Sequence, residues 1–201
     1  MKGFHQGVHM NNILILNGSP SAESRTGRLL DHFAEQLSLD GWRVNQIALR
    51  TLPAQALLSA DFDALPLVSA RLAVEEADAI VVATPVYKGA YTGLLKAFID
   101  VLPHRALVDK SVLPIASGGT LAHYGVIDHA LKPILAALGA TYTLPGIFVL
   151  DSDLKTPQGV YGFNAEIVDR LENARLALRR LHRLAADAVS ETDAPLRQYG
   201  S

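Results

Sequence analysis

Five stretches constrain this chain more than anything else in it: Ile13 to Leu16, Trp42 to Ala48, Ala79 to Thr84, Val112 to Ala116 and Thr141 to Leu150. They read as continuous apolar runs rather than as alternating ones, and continuity marks strands covered on both faces, as in a parallel sheet. Between them lie segments with helical spacing: Leu29, Leu30, Phe33 and Leu37; Leu67 to Glu76; Leu94, Leu95, Phe98 and Val101; Ile127, Leu131, Leu135 and Leu138. Strand alternating with helix predicts a parallel sheet with helices on both sides. Gly41 and Gly139 stand where helices should stop. A last helix, roughly 164–189, buries Ile167, Leu171, Ala174, Leu178, Leu181 and Ala185, with Arg175, Arg179, Arg180 and Arg183 as its solvated face. Pro114 and Pro145 fall inside two of the runs and are expected at strand ends or bulges, because proline removes a ladder donor. Leu52 to Pro66 lacks periodicity and reads as an irregular connection, and polar Asp151 to Gly162 as a loop.

Composition narrows the function. With 201 residues, 49% hydrophobic and 19% charged, the chain has the size and apolar content of one globular domain, expected over 12–190, between a disordered extension (1–11) and a flexible tail (191–201). A net charge of -2 gives no basic field for nucleic acid, and no segment supplies the roughly 20 apolar residues of a membrane span. Without cysteine there can be no disulfide, thiolate metal site or cysteine nucleophile. The first ten residues carry one Lys and no apolar stretch, so no signal peptide is read and a cytoplasmic location is expected. His123 and His129 match no zinc spacing, and no metal is expected.

In a doubly wound sheet, ligands bind beyond the carboxyl ends of the strands where strand order reverses, which directs attention to the loops after strands one, three and four. The first, Gly18 to Thr26, offers the hydroxyls of Ser19, Ser21, Ser24 and Thr26, the guanidinium of Arg25 and the amides of a helix start. That set suits a terminal phosphate, and it also suits an ordinary turn with a hydroxyl cap. The loop lacks the Gly-Lys-Ser/Thr ending of a P-loop and the G-x-G-x-x-G of dinucleotide folds, so a monophosphate fits better than a pyrophosphate. The second loop, Thr84 to Gly93, combines Pro85 with Tyr87 and Tyr91 and can stack a flat aromatic ligand, or else is a helix start capped by Thr92 with half-buried tyrosines. In the third, Ala116 to His123, Gly118 and Gly119 allow backbone amides to approach a ligand closely.

Pro85-Val86-Tyr87-Lys88-Gly89-Ala90-Tyr91, Gly118-Gly119-Thr120-Leu121-Ala122-His123 and Asp128-His129-Ala130-Leu131-Lys132-Pro133 together resemble the NADPH-dependent FMN reductases of bacterial sulfonate utilisation, over about 12–148. The resemblance implies a flavodoxin-like, doubly wound five-stranded parallel sheet of order 2-1-3-4-5. It implies flavin contacts at Ser19, Ser24, Arg25, Thr26, Pro85, Val86, Tyr87, Lys88, Ser117, Gly118, Gly119 and Thr120. It further implies FMN reduction by NADPH, with NADH possible since no selector residue is legible, a homotetramer, and transfer of reduced FMN to a monooxygenase that desulfonates alkanesulfonate or methanesulfonate-type substrates. No acid or base is obligatory for hydride transfer, so no catalytic side chain is named.

His129 stands where that family carries Tyr in an Asp-Tyr-Ala-Leu-Lys-Pro motif. There the residue marks a one-residue π-bulge of the fourth helix that favours flavin release. The resemblance implies the same modulatory place for His129, the alternative being an ordinary interface histidine on an unbroken helix. Two other functions share the fold: a quinone or azo reductase that keeps FMN as a prosthetic group, and an electron-carrying flavodoxin, which the near-neutral charge disfavours.

Overall fold

The computed structural model describes residues 11–154 and 162–192, with side chains of the last helix described as far as Leu181. The expected extension and tail fall, but for their innermost residues, outside the described residues. Strands β1 (Asn12–Asn17), β2 (Arg43–Ala48), β3 (Ala79–Pro85) and β4 (Ser111–Gly118) run parallel in the order β2-β1-β3-β4. The fifth place is shared by β5 (Tyr142–Thr143) and β6 (Ile147–Leu150), both parallel to β4. This is the flavodoxin-like order expected from the sequence.

Both parities of the central strands are buried, which is why they read as unbroken apolar runs. Ile13 and Ile15 face α1 (Arg25–Leu39) and α6 (Ala165–Thr192), packing with Leu29, Phe33, Leu37, Ile167, Leu171 and Leu178. Leu14 and Leu16 face the opposite layer of α2 (Ala54–Leu58), α3 (Leu65–Glu76), α4 (Gly93–Asp100) and α5 (Lys132–Ala137), which contributes Leu57, Leu67, Phe98 and Leu135. Each such side chain stabilises the fold by about 1.5–3 kcal/mol. The helix after β1 ends as Gly41 indicated, with φ +88°, and Gly139 closes α5 at +86°.

The structure departs from the sequence reading in five places. β2 is an edge strand paired only with β1, and its Arg43, Asn45 and Gln46 are exposed, so it is not the two-faced buried run expected of Trp42 to Ala48. The stretch Leu52 to Pro66 is not wholly irregular: it contains α2 and the first two residues of α3, whose Pro66 occupies a position where a missing amide costs nothing. Thr141 to Leu150 is two strands, broken around Pro145. Pro114 lies inside β4, neither at an end nor at a bulge. Along β4, Ser111 and Ser117 bond toward β3, through Ser111 N to Asp78 O and Val86 N to Ser117 O. Val112 instead accepts from Leu144 on the other side. Pro114 shares the parity of Val112, so its absent N–H faces the gap between β5 and β6, where no ladder partner is waiting. The fifth departure is in α6: Arg175 is not solvated but forms ion pairs with Asp40 and Glu172, and Arg179 joins it on Asp40 at 3.5 Å.

Candidate functional site

The chain leaves β1, returns through β2 on one side, and crosses to β3 on the other, so the carboxyl ends of β1, β3 and β4 border a crevice at the reversal of strand order. Three loops line it, and the structure ties them to one another. Gly18 N donates to Ala83 O at 2.7 Å, and Thr92 Oγ1 donates to Gly18 O at 2.7 Å. A Cβ at Gly18 would lie 3.0 Å from Ala83 O and 3.1 Å from Leu95 Cβ, so this close approach requires glycine. Thr92 also caps α4 by accepting from Leu95 N at 3.1 Å. Its own N–H donates to Thr84 Oγ1 at 3.1 Å. Thr26 Oγ1 and Ser117 Oγ, both buried, share a 2.7 Å hydrogen bond that joins the first loop to the end of β4.

Within the first loop, Ser24 is the N-cap of α1 and accepts from Gly27 N at 2.9 Å. Ser19 is buried, donates its amide to Asn17 Oδ1 at 3.0 Å and accepts from Ser21 N at 3.3 Å. The amides of Arg25 and Thr26 open the helix and lie outside its internal ladder, giving the loop its positive end. Arg25 projects to the mouth of the crevice, where Nη1 meets Asp151 Oδ2 at 2.5 Å. Hydroxyls, helix-start amides and one guanidinium in this arrangement match the acceptor-rich surface of a phosphate monoester.

The second loop is a tight hairpin. Tyr87 N donates to Ala90 O at 2.9 Å and Ala90 N to Tyr87 O at 3.1 Å. Lys88 and Gly89 between them have φ of +52° and +79°, the two left-handed positions of a type I′ turn. Val86 N anchors the loop to Ser117 O at 2.7 Å, Tyr87 is half-exposed, and Tyr91 is half-buried against the α3/α4 layer. In the third loop Gly118 lies against Phe148, whose ring is 5.8 Å from that of Tyr124, and Thr120 Oγ1 caps a short 3-10 turn by accepting from Ala122 N at 3.3 Å. The residues named from the sequence in all three loops are thus brought to one crevice. Asp151, Thr92 and Asn17 were missed as site residues: Asp151 sat within an apparent polar loop, and the cross-loop roles of the other two depend on residues remote in sequence.

His129 is exposed on a π-helical turn, Ile127–Leu131, that is anchored by buried Ile127 and Leu131 and runs into α5. Lys132 N bonds to Ile127 O, five residues back, and the His129 ring packs over Gly125, where a Cβ would come within 3.1 Å of Cδ2. Lys132 Nζ bonds Asp128 Oδ1 at 2.6 Å and holds that carboxyl below its ordinary pKa.

Residues 11–155 match the family described as NADPH-dependent FMN reductase. An FMN reductase (NADPH) of Pseudomonas putida strain KT2440 is 41% identical over 183 residues, covering 88% of this chain and 93% of the relative. An FMN reductase (NADPH) of Escherichia coli K12 is 41% identical over 162 residues, covering 81% and 85%. The apo crystal structure of an NADH:FMN oxidoreductase, EmoB, superposes with a TM-score of 0.77 at 33% identity, covering 85% of this chain and 89% of that one. The chain belongs to the NADPH-dependent FMN reductase family and is an NAD(P)H-dependent oxidoreductase of FMN.

Proposed function

We propose that this crevice takes up FMN, that a nicotinamide cofactor reduces it there, and that the reduced flavin leaves for a separate monooxygenase that desulfonates alkanesulfonate or methanesulfonate-type substrates. The residues fit the ligand: Ser19, Ser24, Arg25 and Thr26 supply donors for its phosphate. Pro85, Val86, Tyr87 and Lys88 on one side, and Ser117, Gly118, Gly119 and Thr120 on the other, leave a wall of backbone and exposed aromatic surface for its ring. When bound, the flavin supplies the hydride acceptor; the chain binds and orients the rings.

The observation that carries lending, rather than retention as in a quinone or azo reductase, is the π-helical turn at His129. An extra residue in a helix costs stability, and such turns occur frequently at functional sites. Half-buried Leu94, Ala97, Leu102 and Ile134 on the same layer suit a homo-oligomer, and we assign a tetramer. A monomer mass by light scattering at micromolar concentration contradicts that assignment.

Arg25→Ala tests the phosphate end. Arg25 is half-exposed, so its charge-assisted bond is placed at the low end of the usual range, about 1.5 kcal/mol, and FMN should bind about tenfold more weakly. Riboflavin, which lacks the phosphate, should bind the variant and the parent alike in a fluorescence titration. Equal losses for both flavins would mean that Arg25 only supports the loop.

A further inference from the structure

Asp151 is the first residue beyond β6, and its carboxylate reaches across the crevice to the phosphate loop, meeting Arg25 Nη1 at 2.5 Å. The same Oδ2 would lie 3.8 Å from a Cβ on Gly119, which puts it beside the third loop as well. The turn that carries it is held by the residues that follow. Asp153 Oδ2 accepts from Leu150 N at 2.8 Å, Asp153 Oδ1 accepts from Asn164 Nδ2 at 2.9 Å, and Leu154 is fully buried beneath the turn. An exposed ion pair of this kind contributes little to folding. Its effect falls on whatever must bind between its partners.

We infer that Asp151 competes with the flavin phosphate for Arg25 and so sets how readily FMN leaves; this rests on the proposed placement of the phosphate beside Arg25. A phosphate monoester carries nearly two negative charges at neutral pH. On arrival it must take Arg25 from Asp151 or share it beside a carboxylate, and on departure Asp151 receives the guanidinium back. Association and release then become an exchange of one anionic partner for another, which suits a protein whose flavin is passed on.

The test titrates the full-length wild type, D151N, D151S, R25A and the R25A/D151N double variant with FMN and with riboflavin, and follows FMN dissociation by stopped flow. D151N and D151S should bind FMN about fivefold more tightly, with the gain in the dissociation rate, since Arg25 is freed for the phosphate. Riboflavin affinity should not change. In the R25A background the gain from D151N should shrink below about twofold, because the two residues act through one contact. Unchanged or weakened FMN binding in folded D151N and D151S overturns the inference, as does a gain of equal size without Arg25. If the wild type binds FMN and riboflavin equally, it is the phosphate placement itself that has failed, a result separable from either of these.

Discussion

Deletion of His129 should yield a folded protein that retains FMN through purification and turns over free flavin about a hundredfold more slowly. The π-helical turn Ile127–Leu131 holds one residue more than an α-helix of the same span, with Lys132 N bonded five residues back to Ile127 O. Removing one residue lets the ordinary four-residue ladder resume: the helix beyond keeps its register, and the displacement, of about 1 Å, is confined to the backbone and side chains of the turn itself. Displacements of that size at a site can cost about two orders of magnitude in rate. The fold should persist, since the core contacts of Leu131 and Leu135 belong to a helix that the deletion regularises. Absorbance of the purified protein and NADPH oxidation with added FMN give the two readouts. Undiminished free-flavin turnover in a folded deletion protein would sink the lending role of the turn.

The second large effect is expected at Thr92. Thr92→Val preserves shape but removes the hydroxyl that donates to Gly18 O at 2.7 Å and accepts from Leu95 N at 3.1 Å. Thr92 is only 2% exposed, so water cannot readily take over either bond. Two buried groups left without partners, at about 1–3 kcal/mol each with partial relaxation, predict a loss near 3 kcal/mol. For a domain of this size that lowers the melting temperature by roughly 6–12 °C. Thr92→Ser keeps the oxygen and should recover most of the stability. FMN affinity should fall in the Val variant as well, because Gly18 opens the phosphate loop. A loss below about 1 kcal/mol by calorimetry would show that the loops do not depend on this bond.

The sheet was legible because β1, β3 and β4 carry their evidence in adjacent residues: both faces are covered, so Ile13 to Leu16, Ala79 to Ala83 and Val112 to Ala116 are unbroken apolar runs. β2 was misread because an edge strand is only partly covered, Val44 reaching one layer and Ile47 the other while Arg43, Asn45 and Gln46 meet solvent, and α2 was missed because a helix of five residues has too few turns to show a period. The roles of Pro114 and Arg175 were hidden for a different reason. Whether a proline removes a needed donor depends on which neighbour its face meets, and an arginine on a helix is solvated or paired according to what packs there, here Asp40. The site behaved likewise. Its loops could be named from hydroxyls, glycines and motifs, but Arg25 with Asp151 and Thr26 with Ser117 are partners across more than ninety residues of sequence.

The bond between Thr26 and Ser117, with that from Gly18 N to Ala83 O, has a consequence for how the ligand loop lives in solution. Loops that carry function are commonly the first parts of a protein to open, with little of the global stability behind them. Here the amide of Gly18 is bonded to the neighbouring strand and its carbonyl to Thr92, so the start of the loop continues the sheet. Exchange of that amide hydrogen with solvent then requires β1 and β3 to separate at their carboxyl ends. On the proposed placement of the phosphate, its end of the crevice is tied to the sheet before any flavin arrives, which leaves the motion for entry and exit to the hairpin tip at Lys88 and Gly89 and to the half-exposed side chains of Arg25 and Asp151.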